Sequence, residues 1–402
     1  MDVLKIILNA IEFLLIGYFG FASLYVFLFS FAGLFPMKKR EEILQKQRKF
    51  AVLIPGYKED NVIVEVAEQA LKQNYPSDLY DVVIIADSFQ QRTLSKLYQL
   101  PIRVVEVSFE KSTKSKALNK AMDVIGDDYD IALVLDADNV MERGFLEKVN
   151  ASFNQGYKVV QGHRIAKNVN TSFAVLDAIS EEINNHIFRK GHRVLGLSSA
   201  LIGSGMAFNY HFFKTTMGKV NAVGGFDKEL ELKLLKNKIR IEYLQDALVL
   251  DEKVQKSEVF ANQRKRWLSA QFIYFGRYFF PGIKELFLRG NLDFFDKVYQ
   301  MVSPPRVLLL GLVFVFSLFY FILVDLLQNS MLGVLSIYWY LSLALTVLAF
   351  FFAVPKRFYT KATLRAILKL PKAFLLMFLS LFKLKGANKK FIHTQHGTVN
   401  GN

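Results

Sequence analysis

Three stretches of the chain lack charged residues over lengths that can cross a membrane as helices. Phe13–Phe35 has 23 uncharged residues, and 1.5 Å per residue gives about 34 Å of helix, enough for a hydrocarbon core of about 30 Å. Val307–Val324 has 18 uncharged residues, and Leu332–Val354 lies within a longer uncharged run. A cleaved signal peptide fits the first stretch poorly, because the apolar run is long and no small-x-small cleavage site follows. We therefore expect an N-terminal transmembrane helix in residues 1–36 and a transmembrane hairpin in residues 306–355.

A fourth apolar stretch, Ala373–Phe382, has only ten uncharged residues between two lysines. That length is too short to span a bilayer and is typical of an amphipathic interfacial helix whose lysines reach toward water. We expect residues 356–402 to form a basic tail that carries an amphipathic or membrane-inserted helix.

Basic residues predict which side of the membrane each segment occupies. Ten Lys and Arg residues and no acidic residue lie in residues 356–402, six basic residues lie between Lys38 and Lys49, and the connection 325–331 has none. Because basic flanks stay in the cytoplasm, residues 37–305 and the tail are expected there, in an integral protein of the plasma (inner) membrane. The net charge of +15 is explained mostly by this bias and by the advantage of basic residues beside anionic membrane lipids. No nucleic-acid partner is expected.

Between the membrane stretches, short β-branched runs alternate with helical patterns. The expected strands are Phe50–Pro55, Asp81–Ala86, Ile102–Val107 and Ile131–Leu135, and the expected helices are Val62–Lys72 and Lys116–Ile125. The strands are continuously apolar, as in a sheet buried on both faces. This order predicts an α/β fold, a doubly wound domain whose ligands bind beyond the carboxyl ends of the strands.

Acidic residues stand at two of these strand ends. The second strand ends at Asp87, and the fourth ends at Asp136 and Asp138. Residues i and i+2 of an extended segment face the same way, so Asp136 and Asp138 can converge on one divalent cation. Taken alone, such a pair is more often an acidic turn or a helix cap.

Composition excludes several kinds of chemistry. Apolar residues make up 52% of the 402 residues, which excludes a disordered chain. The absence of cysteine excludes disulfides, zinc–thiolate sites, iron–sulfur clusters and cysteine nucleophiles.

The motifs follow one another in a recognisable order. They are IPGYKED at Ile54–Asp60, Asp87, KSKALN at Lys114–Asn119, DAD at Asp136–Asp138, GSG at Gly203–Gly205, GGFD at Gly224–Asp227, KELEL at Lys228–Leu232 and QRKRW at Gln263–Trp267. This order resembles the membrane-integrated, inverting family 2 glycosyltransferases, the group with cellulose, chitin and hyaluronan synthases. The resemblance covers about residues 48–270 and the flanking membrane helices, and QRKRW is its most specific element. It implies a GT-A-like catalytic domain in residues 37–270, followed by interfacial helices in residues 271–305.

The resemblance also implies roles for individual residues. The donor-binding residues would be Pro55, Tyr57, Glu59, Asp87, Lys114, Gln263, Arg264 and Arg266, and the acceptor-binding residues Gly203, Ser204, Gly205 and Trp267. Asp136 and Asp138 would act in catalysis by holding Mg²⁺ or Mn²⁺, a Lewis acid for the departing diphosphate. From the residues alone, Lys114 could instead be a solvated lysine at a helix start, and QRKRW a juxtamembrane anchor.

An inverting transfer needs a carboxylate that takes the proton of the acceptor hydroxyl. In the family this base is the aspartate of a Thr/Ser-Glu-Asp-like triplet at a helix start. The register through Leu230–Leu232 places Lys228 and Glu229 where the family has Glu and Asp, so Glu229 is the expected base, with Asp227 and Glu231 as alternates. A glutamate is one methylene longer than the family's aspartate, so either the backbone lies further back or the register is shifted.

Three functions stay open. The resemblance implies a hexosyltransferase that moves a sugar from a nucleotide diphosphate sugar, mostly a UDP-sugar in this family, to a growing polysaccharide. The second function is a single-sugar transferase acting on a membrane lipid. QRKRW favours the polysaccharide synthase of the two. The three spans count against it, because a polymer channel needs more helices, which a homo-oligomer, a secretion partner or Ala373–Phe382 would have to supply. The third is an inactive membrane scaffold, disfavoured because the aspartates and arginines are present.

Overall fold

The computed structural model describes residues 2–38, 46–220, 225–253, 257–327 and 333–382. Four of the sequence predictions fall wholly or partly on other residues. Outside the described part of the chain lie Gly224 of the GGFD motif, two of the basic residues after the first span (Lys39 and Arg40), residues 328–331 of the predicted connection and the tail segment 383–402.

The chain alternates strands and helices between its apolar N-terminal helix and its apolar C-terminal helices. The strands are β1 (Phe50–Tyr57), β2 (Tyr80–Asp87), β3 (Arg103–Val107), β4 (Ile131–Val134), β5 (Val140–Met141), β6 (Val159–Ala166), β7 (Met206–Asn209) and β8 (Ile241–Asp251). The helices before the long α10 are α1 (Asp2–Ala32), α2 (Ile63–Ala70), α3 (Gln91–Leu97), α4 (Lys114–Ile125), α5 (Phe145–Asn154), α6 (Ser172–Asn184), α7 (His192–Val194), α8 (Tyr210–Met217) and α9 (Phe226–Lys236). The others are α10 (Ser257–Arg289), α11 (Leu292–Val302), α12 (Arg306–Tyr320), α13 (Gly333–Ala353), α14 (Lys361–Ile367) and α15 (Leu370–Leu381). A wide π-type turn, Asn185–Gly191, joins α6 to α7, and a second one, Phe321–Leu326, extends α12.

The described strands form one mixed sheet in the order β3-β2-β1-β4-β7-β6-β8-β5. The four strands predicted from apolar runs, β1 to β4, are present and mutually parallel. β7 runs antiparallel to both β4 and β6, so the second half of the sheet departs from the parallel pattern. Because β1, β2 and β4 are parallel, their carboxyl ends share one edge of the sheet.

Both faces of the parallel half are buried, which explains its continuous apolar runs. Along β1, Ala51 and Leu53 pack into the core beneath α4, α8 and α9. The alternate residues Phe50, Val52 and Ile54 pack into a second core with α2 and α5. The period of two is still present, but each side of the strand meets a helix layer instead of water.

Three helices among the described residues are long and apolar enough to cross a membrane: Ile6–Ala32, Arg306–Leu326 and Leu335–Ala353. They coincide with the three predicted spans. Polar side chains join α1 to α13, with Ser30 Oγ donating to the Ala349 carbonyl at 2.6 Å and Thr346 Oγ1 to Ser23 Oγ at 3.0 Å. The fourth apolar segment forms the short helix α15 of 12 residues, as its length predicts.

The helix α10 has 33 residues and carries the QRKRW motif near its start. It runs on without interruption past residue 270, where the sequence predicts a boundary between the catalytic domain and the interfacial helices. Gly290 then turns the chain with φ +59°, a left-handed conformation that favours glycine after a helix. The next helix, α11, packs back on α10.

A chain of buried polar contacts joins the apolar helix α1 to the sheet-bearing part of the chain through α11. Tyr25 Oη donates to Asp296 Oδ1 at 2.6 Å, and Gln300 Nε2 donates to Asp296 Oδ2 at 2.7 Å. Lys297 Nζ donates to Gln300 Oε1 at 3.3 Å and lies 3.5 Å from Glu231 Oε1 of α9. The helix α9, which carries the three candidate bases, is thereby fixed to the apolar helix α1.

Candidate active site

Three aspartates meet beyond the carboxyl ends of β4 and β8. One carboxylate oxygen from each of Asp136, Asp138 and Asp251 lies within 4.8 Å of the others. The Asn139 amide donates to Asp138 Oδ1 and to Asp251 Oδ1, both at 3.0 Å. The backbone N–H of Glu252 donates to Asp138 Oδ2 at 3.3 Å. The predicted DAD pair is therefore part of a cluster of three carboxylates.

Asp251 was not among the predicted site residues, although the sequence carries a signal for it. The apolar run Ala247–Leu250 precedes Asp251 as Ile131–Leu135 precedes Asp136. The short strand β5 follows the DAD turn and pairs antiparallel with the end of β8, with Val140 opposite Leu250. This pairing brings the end of β8 to the DAD turn, and it cannot be read from two residues of sequence.

The cluster fits a hard divalent cation, since carboxylate oxygens are the ligands that Mg²⁺ and Mn²⁺ prefer. Asp251 is the best compensated of the three, with Lys253 Nζ at 2.6 Å from Oδ2 and Arg164 Nη1 at 3.6 Å from Oδ1. Burial acts to raise the pKa of Asp251, but these two cations hold it below its usual range. Asp251 is thus held by two cations, and Asp136 by one, Lys114 at 2.5 Å.

Lys114 connects the aspartates to the glycine loop. Its ammonium donates to Asp136 Oδ1 at 2.5 Å and to the Gly203 carbonyl at 2.7 Å. Ser204 Oγ accepts the backbone N–H of Asp136 at 2.9 Å and donates to Asn139 Oδ1 at 2.5 Å. Gly203 has φ +85°, a left-handed conformation that glycine adopts without a Cβ clash. The predicted Lys114, Gly203 and Ser204 thus lie together at the DAD turn.

The residues predicted to bind the donor nucleoside lie at the same edge of the sheet. Tyr57 and Asp87 are register partners at the ends of β1 and β2. The backbone N–H of Lys58 donates to the Asp87 carbonyl at 3.1 Å. Glu59 and Asp87 are buried, and Pro55 precedes Tyr57 on β1. Because β1 is hydrogen-bonded to both β2 and β4, this group stands at the same sheet edge as Asp136.

A cavity of about 1790 Å³ extends from Asp136 to the apolar helices α12, α13 and α15. Its polar end is lined by Lys114, Asp136, Gly203, Asp227, Gln263, Arg264, Arg266 and Trp267. Its apolar end is lined by residues of α12, α13 and α15, among them Leu310, Phe314, Leu343, Phe350, Phe374 and Met377. One continuous space therefore joins the candidate chemistry to the membrane-associated part of the chain.

The QRKRW residues face this cavity from α10. Arg264 Nη2 donates to Asp177 Oδ1 at 2.7 Å, and its guanidinium lies 4.5 Å from the centroid of the Trp267 ring. Trp267 keeps 43% of its surface exposed. Burial lowers the pKa of Arg266. The predicted Gln263, Arg264, Arg266 and Trp267 all lie on the cavity lining.

The three candidate bases occupy different environments on α9. Asp227 lines the cavity, and its carboxyl carbon lies 3.8 Å from the position that a Cβ on Gly203 would occupy. Burial raises the pKa of Asp227. Glu231 is fully buried, accepts the backbone N–H of Leu201 at 3.1 Å and pairs with Lys297.

Glu229, the residue expected from the register, points elsewhere. Its Oε1 lies 2.7 Å from Lys233 Nζ and 3.8 Å from Arg277 Nη1, and the Tyr274 hydroxyl is 3.5 Å from Oε2. Residues two positions apart on a helix are rotated by about 200° around its axis, so Asp227 and Glu229 face opposite sides of α9. Of the described residues on α9, the structure brings Phe226, Asp227 and Lys228 to the cavity, and it does not bring Glu229 there.

A family model described as "Glycosyltransferase like family 2" matches residues 47–270. No curated protein sequence matches the chain. Among solved structures, mannosyltransferase PcManGT from Pyrobaculum calidifontis, in complex with GDP-Man and Mn²⁺, is similar with 14% identity and a TM-score of 0.51, covering 95% of this chain and 98% of that one. TarS from S. aureus is similar with 17% identity and a TM-score of 0.39, covering 85% of this chain and 55% of that one. The similarity to PcManGT is one of fold, and it agrees with a GT-A-like α/β domain with flanking apolar helices.

Proposed function

The chain belongs to glycosyltransferase like family 2 and is a glycosyltransferase; from this premise, we propose that it transfers one sugar from a nucleotide diphosphate sugar to an acceptor carried by a membrane lipid, with inversion at the anomeric carbon. One observation carries the choice of acceptor. The cavity that contains Asp136 and Asp227 continues between apolar side chains of the membrane-associated helices.

The apolar half of the cavity suits a lipid chain better than a sugar polymer. Beyond Arg306, the α12 residues on the lining are Val307, Leu310, Gly311, Phe314 and Val315, and those of α13 are Leu343, Val347, Phe350 and Phe351. Burying an acyl or isoprenoid chain against such a surface is favourable by about 25 cal/mol per Å² of apolar area. A polysaccharide carries hydroxyl groups, and these would lose their water along this path without gaining partners.

A polysaccharide synthase of the cellulose, chitin and hyaluronan type, which the sequence resemblance implies, is the second candidate. It is supported by the exposed face of Trp267 beside Arg264, since a flat aromatic ring can stack on a sugar. The inactive scaffold has no such support, because it leaves the polar end of the cavity without a role.

We assign the general base to Asp227 instead of Glu229. Asp227 is half-buried on the cavity lining, and the raised pKa that burial gives it strengthens it as a base. In the transfer, an acceptor hydroxyl oxygen attacks the anomeric carbon, its proton goes to Asp227, and the bond to the diphosphate breaks with its electron pair. Lys114, Arg264 and Arg266 bind the diphosphate, and Pro55, Tyr57, Glu59 and Asp87 bind the nucleoside.

Asp136 and Asp138 would hold the divalent cation, with Asp251 beside them. When bound there, Mg²⁺ or Mn²⁺ supplies Lewis-acid stabilisation of the charge on the departing diphosphate. Asn139 orients two of the three carboxylates, and Lys114 orients the third.

We also propose the membrane arrangement that the basic residues predict. Residues 37–305 and 356–402 would lie in the cytoplasm, where nucleotide sugars are made, and the connection 325–331 on the other side of the plasma membrane. Gln263–Trp267 and the rest of α10 would then lie at the cytoplasmic membrane surface.

The experiment that tests the proposal uses the purified full-length protein with added membrane lipids. Radiolabelled UDP-sugars and GDP-sugars are supplied in turn, with Mg²⁺ or Mn²⁺, and the product is divided by extraction into organic solvent. We expect label in the organic phase, on a product that is larger than its parent lipid by one sugar. A water-soluble product of many sugars would support the polysaccharide synthase instead. Asp138→Ala is the matched control and should give neither product.

A further inference from the structure

We infer that the lipid acceptor carries a phosphate next to the hydroxyl that receives the sugar, and that Arg306 binds this phosphate. The inference rests on the proposed lipid acceptor and names its chemical class, a phosphodiester or pyrophosphodiester lipid with a hydroxyl-bearing head group. Arg306 was not among the residues predicted from the sequence.

Arg306 lies where the cavity changes from polar to apolar. It is the first residue of α12 and of the candidate span Arg306–Leu326, and it lines the cavity. The next lining residues along the helix are Val307 and Leu310. A cation at this boundary lies at the depth where the head groups of membrane lipids meet their chains.

The guanidinium of Arg306 is held by neutral groups. Nη2 donates to Ser180 Oγ at 3.0 Å, Nη1 donates to Asn184 Oδ1, and the guanidinium carbon is 5.8 Å from the centroid of the Phe188 ring. Over the part of the chain that the structure describes, Arg306 forms no ion pair with a carboxylate. A guanidinium has five N–H donors, so donors remain for a ligand.

Neighbouring arginines differ in this respect. Arg264 pairs with Asp177 at 2.7 Å, and Arg189 pairs with Glu181 at 3.1 Å. Arg164 also pairs with Glu181, at 2.7 Å. A half-buried charge normally has a partner of opposite sign, because taking it out of water is costly. Arg306 is oriented by Ser180 and Asn184, and the carboxylates of Asp177 and Glu181 act on it only at longer range. A bound anion in the cavity would supply a direct ion pair.

A lipid phosphate is the anion that fits both the charge and the surroundings. The planar fork of arginine binds phosphate through two parallel hydrogen bonds, and the apolar lining beyond it accepts the chain. With the phosphate at Arg306, the head group extends toward the polar end of the cavity, where Asp227 lies. The attacking atom is then a hydroxyl oxygen of the head group, its proton passes to Asp227, and the phosphate itself forms no new bond.

The first test separates a total lipid extract into neutral and anionic fractions on an anion-exchange resin. The full-length protein is given each fraction with labelled donor and divalent cation, and the lipid product is analysed for phosphorus by mass spectrometry. We expect transfer to the anionic fraction and a product that contains phosphorus. Transfer to the neutral fraction, giving a product without phosphorus, would overturn this inference and leave the lipid transferase standing. A water-soluble polymer with either fraction would overturn the proposed function itself.

The second test measures both substrates with variants of Arg306. Arg306→Gln should raise the apparent KM for the anionic fraction at least about tenfold, the scale of one charge-assisted hydrogen bond, and leave the donor KM unchanged. Arg306→Lys should recover part of the loss, because it keeps the charge without the fork. Arg365→Gln removes an exposed arginine of α14 that is off the cavity lining, and it should behave as wild type. An unchanged acceptor KM in Arg306→Gln, or a donor KM raised by the same factor, would contradict the assignment.

Discussion

Asp227 and Glu229 stand two positions apart on α9 and face opposite sides of that helix. Asp227 lines the cavity beside Gly203, whereas Glu229 is held by Lys233 at 2.7 Å on the other side. The sequence register favours the second residue as the base, and the geometry favours the first.

The two carboxylates are therefore expected to differ when each is made an amide. Asp227→Asn should abolish transfer and retain donor binding, because the amide has nearly the same size but cannot take the proton. Glu229→Gln is the matched control and should retain most of the transfer rate. The transfer rate is measured from the release of nucleoside diphosphate, and donor binding is measured by calorimetry. Full transfer by Asp227→Asn, with loss in Glu229→Gln, would return the base to Glu229.

Burial of Asp227 predicts opposite effects of pH on rate and on stability. Burial raises the pKa of Asp227 above 3.8, its ordinary value, and the base acts only when deprotonated, so kcat should fall as the pH falls through the raised pKa. Between the unfolded and folded pKa values the native state binds the extra proton, so this group's contribution to the free energy of unfolding falls as the pH rises.

Asp227→Asn tests both effects. At neutral pH the variant should unfold at a higher temperature than wild type, because it removes the cost of a buried carboxylate charge. The difference in unfolding temperature between the variant and the wild type should become smaller as the pH falls. The two effects are measured by the pH dependence of kcat and by thermal unfolding across the acid range. A variant that is less stable than wild type at neutral pH would show that other groups compensate the charge of Asp227.

The parallel half of the sheet could be predicted, because β1 to β4 are buried on both faces and leave uninterrupted apolar runs. The second half could not, since β5 has two residues and its pairing with β8 depends on the folded chain. Asp251 could not be predicted for the same reason, because its place beside Asp138 depends on the pairing of β5 with β8. Arg306 could not be predicted for another reason. It is singled out by its neutral hydrogen-bond partners, Ser180 and Asn184, which are distant from it in sequence.

The aspartate cluster predicts a strict need for a divalent cation. Chelation by EDTA should stop transfer, and Mg²⁺ or Mn²⁺ should restore it. Asp138→Ala should lower kcat by a factor on the order of 10²–10³, the usual effect of losing a charge-stabilising group. Asp251→Asn should raise the cation concentration needed for half activity, because it removes one carboxylate of the cluster. Full turnover in EDTA would exclude the cation from the mechanism.

The buried pair of Lys297 and Glu231 predicts a large loss of stability when it is broken. Both side chains are fully buried, 3.5 Å apart, and they join α11 to α9. Lys297→Met leaves the buried Glu231 with Lys228, 3.3 Å away, as its remaining cation. The loss should therefore be large, but smaller than the cost of an unpaired buried charge, which is about 3–5 kcal/mol in the free energy of unfolding. The double variant with Glu231→Gln should recover part of this loss.

Arg289→Met provides the comparison for this pair. It breaks an i,i+4 pair between the exposed Arg289 and Glu285 at 3.4 Å, and pairs with one partner in water contribute about 0–1 kcal/mol. Denaturant unfolding in detergent measures all the variants. Equal losses in Lys297→Met and Arg289→Met would mean that the link between α11 and α9 does not depend on this charge pair.

The central claim is that the cavity holds the lipid acceptor, and the absence of cysteine from the chain allows a direct measurement. Leu310→Cys places one thiol on the α12 face that lines the cavity, and Leu318→Cys places one on an exposed face of the same helix, off the lining. Each variant is labelled with an apolar maleimide, and transfer to lipid is measured beside donor binding. The account predicts that labelling Leu310→Cys blocks transfer and spares donor binding, whereas labelled Leu318→Cys transfers as before. Undiminished transfer to lipid by fully labelled Leu310→Cys would contradict it.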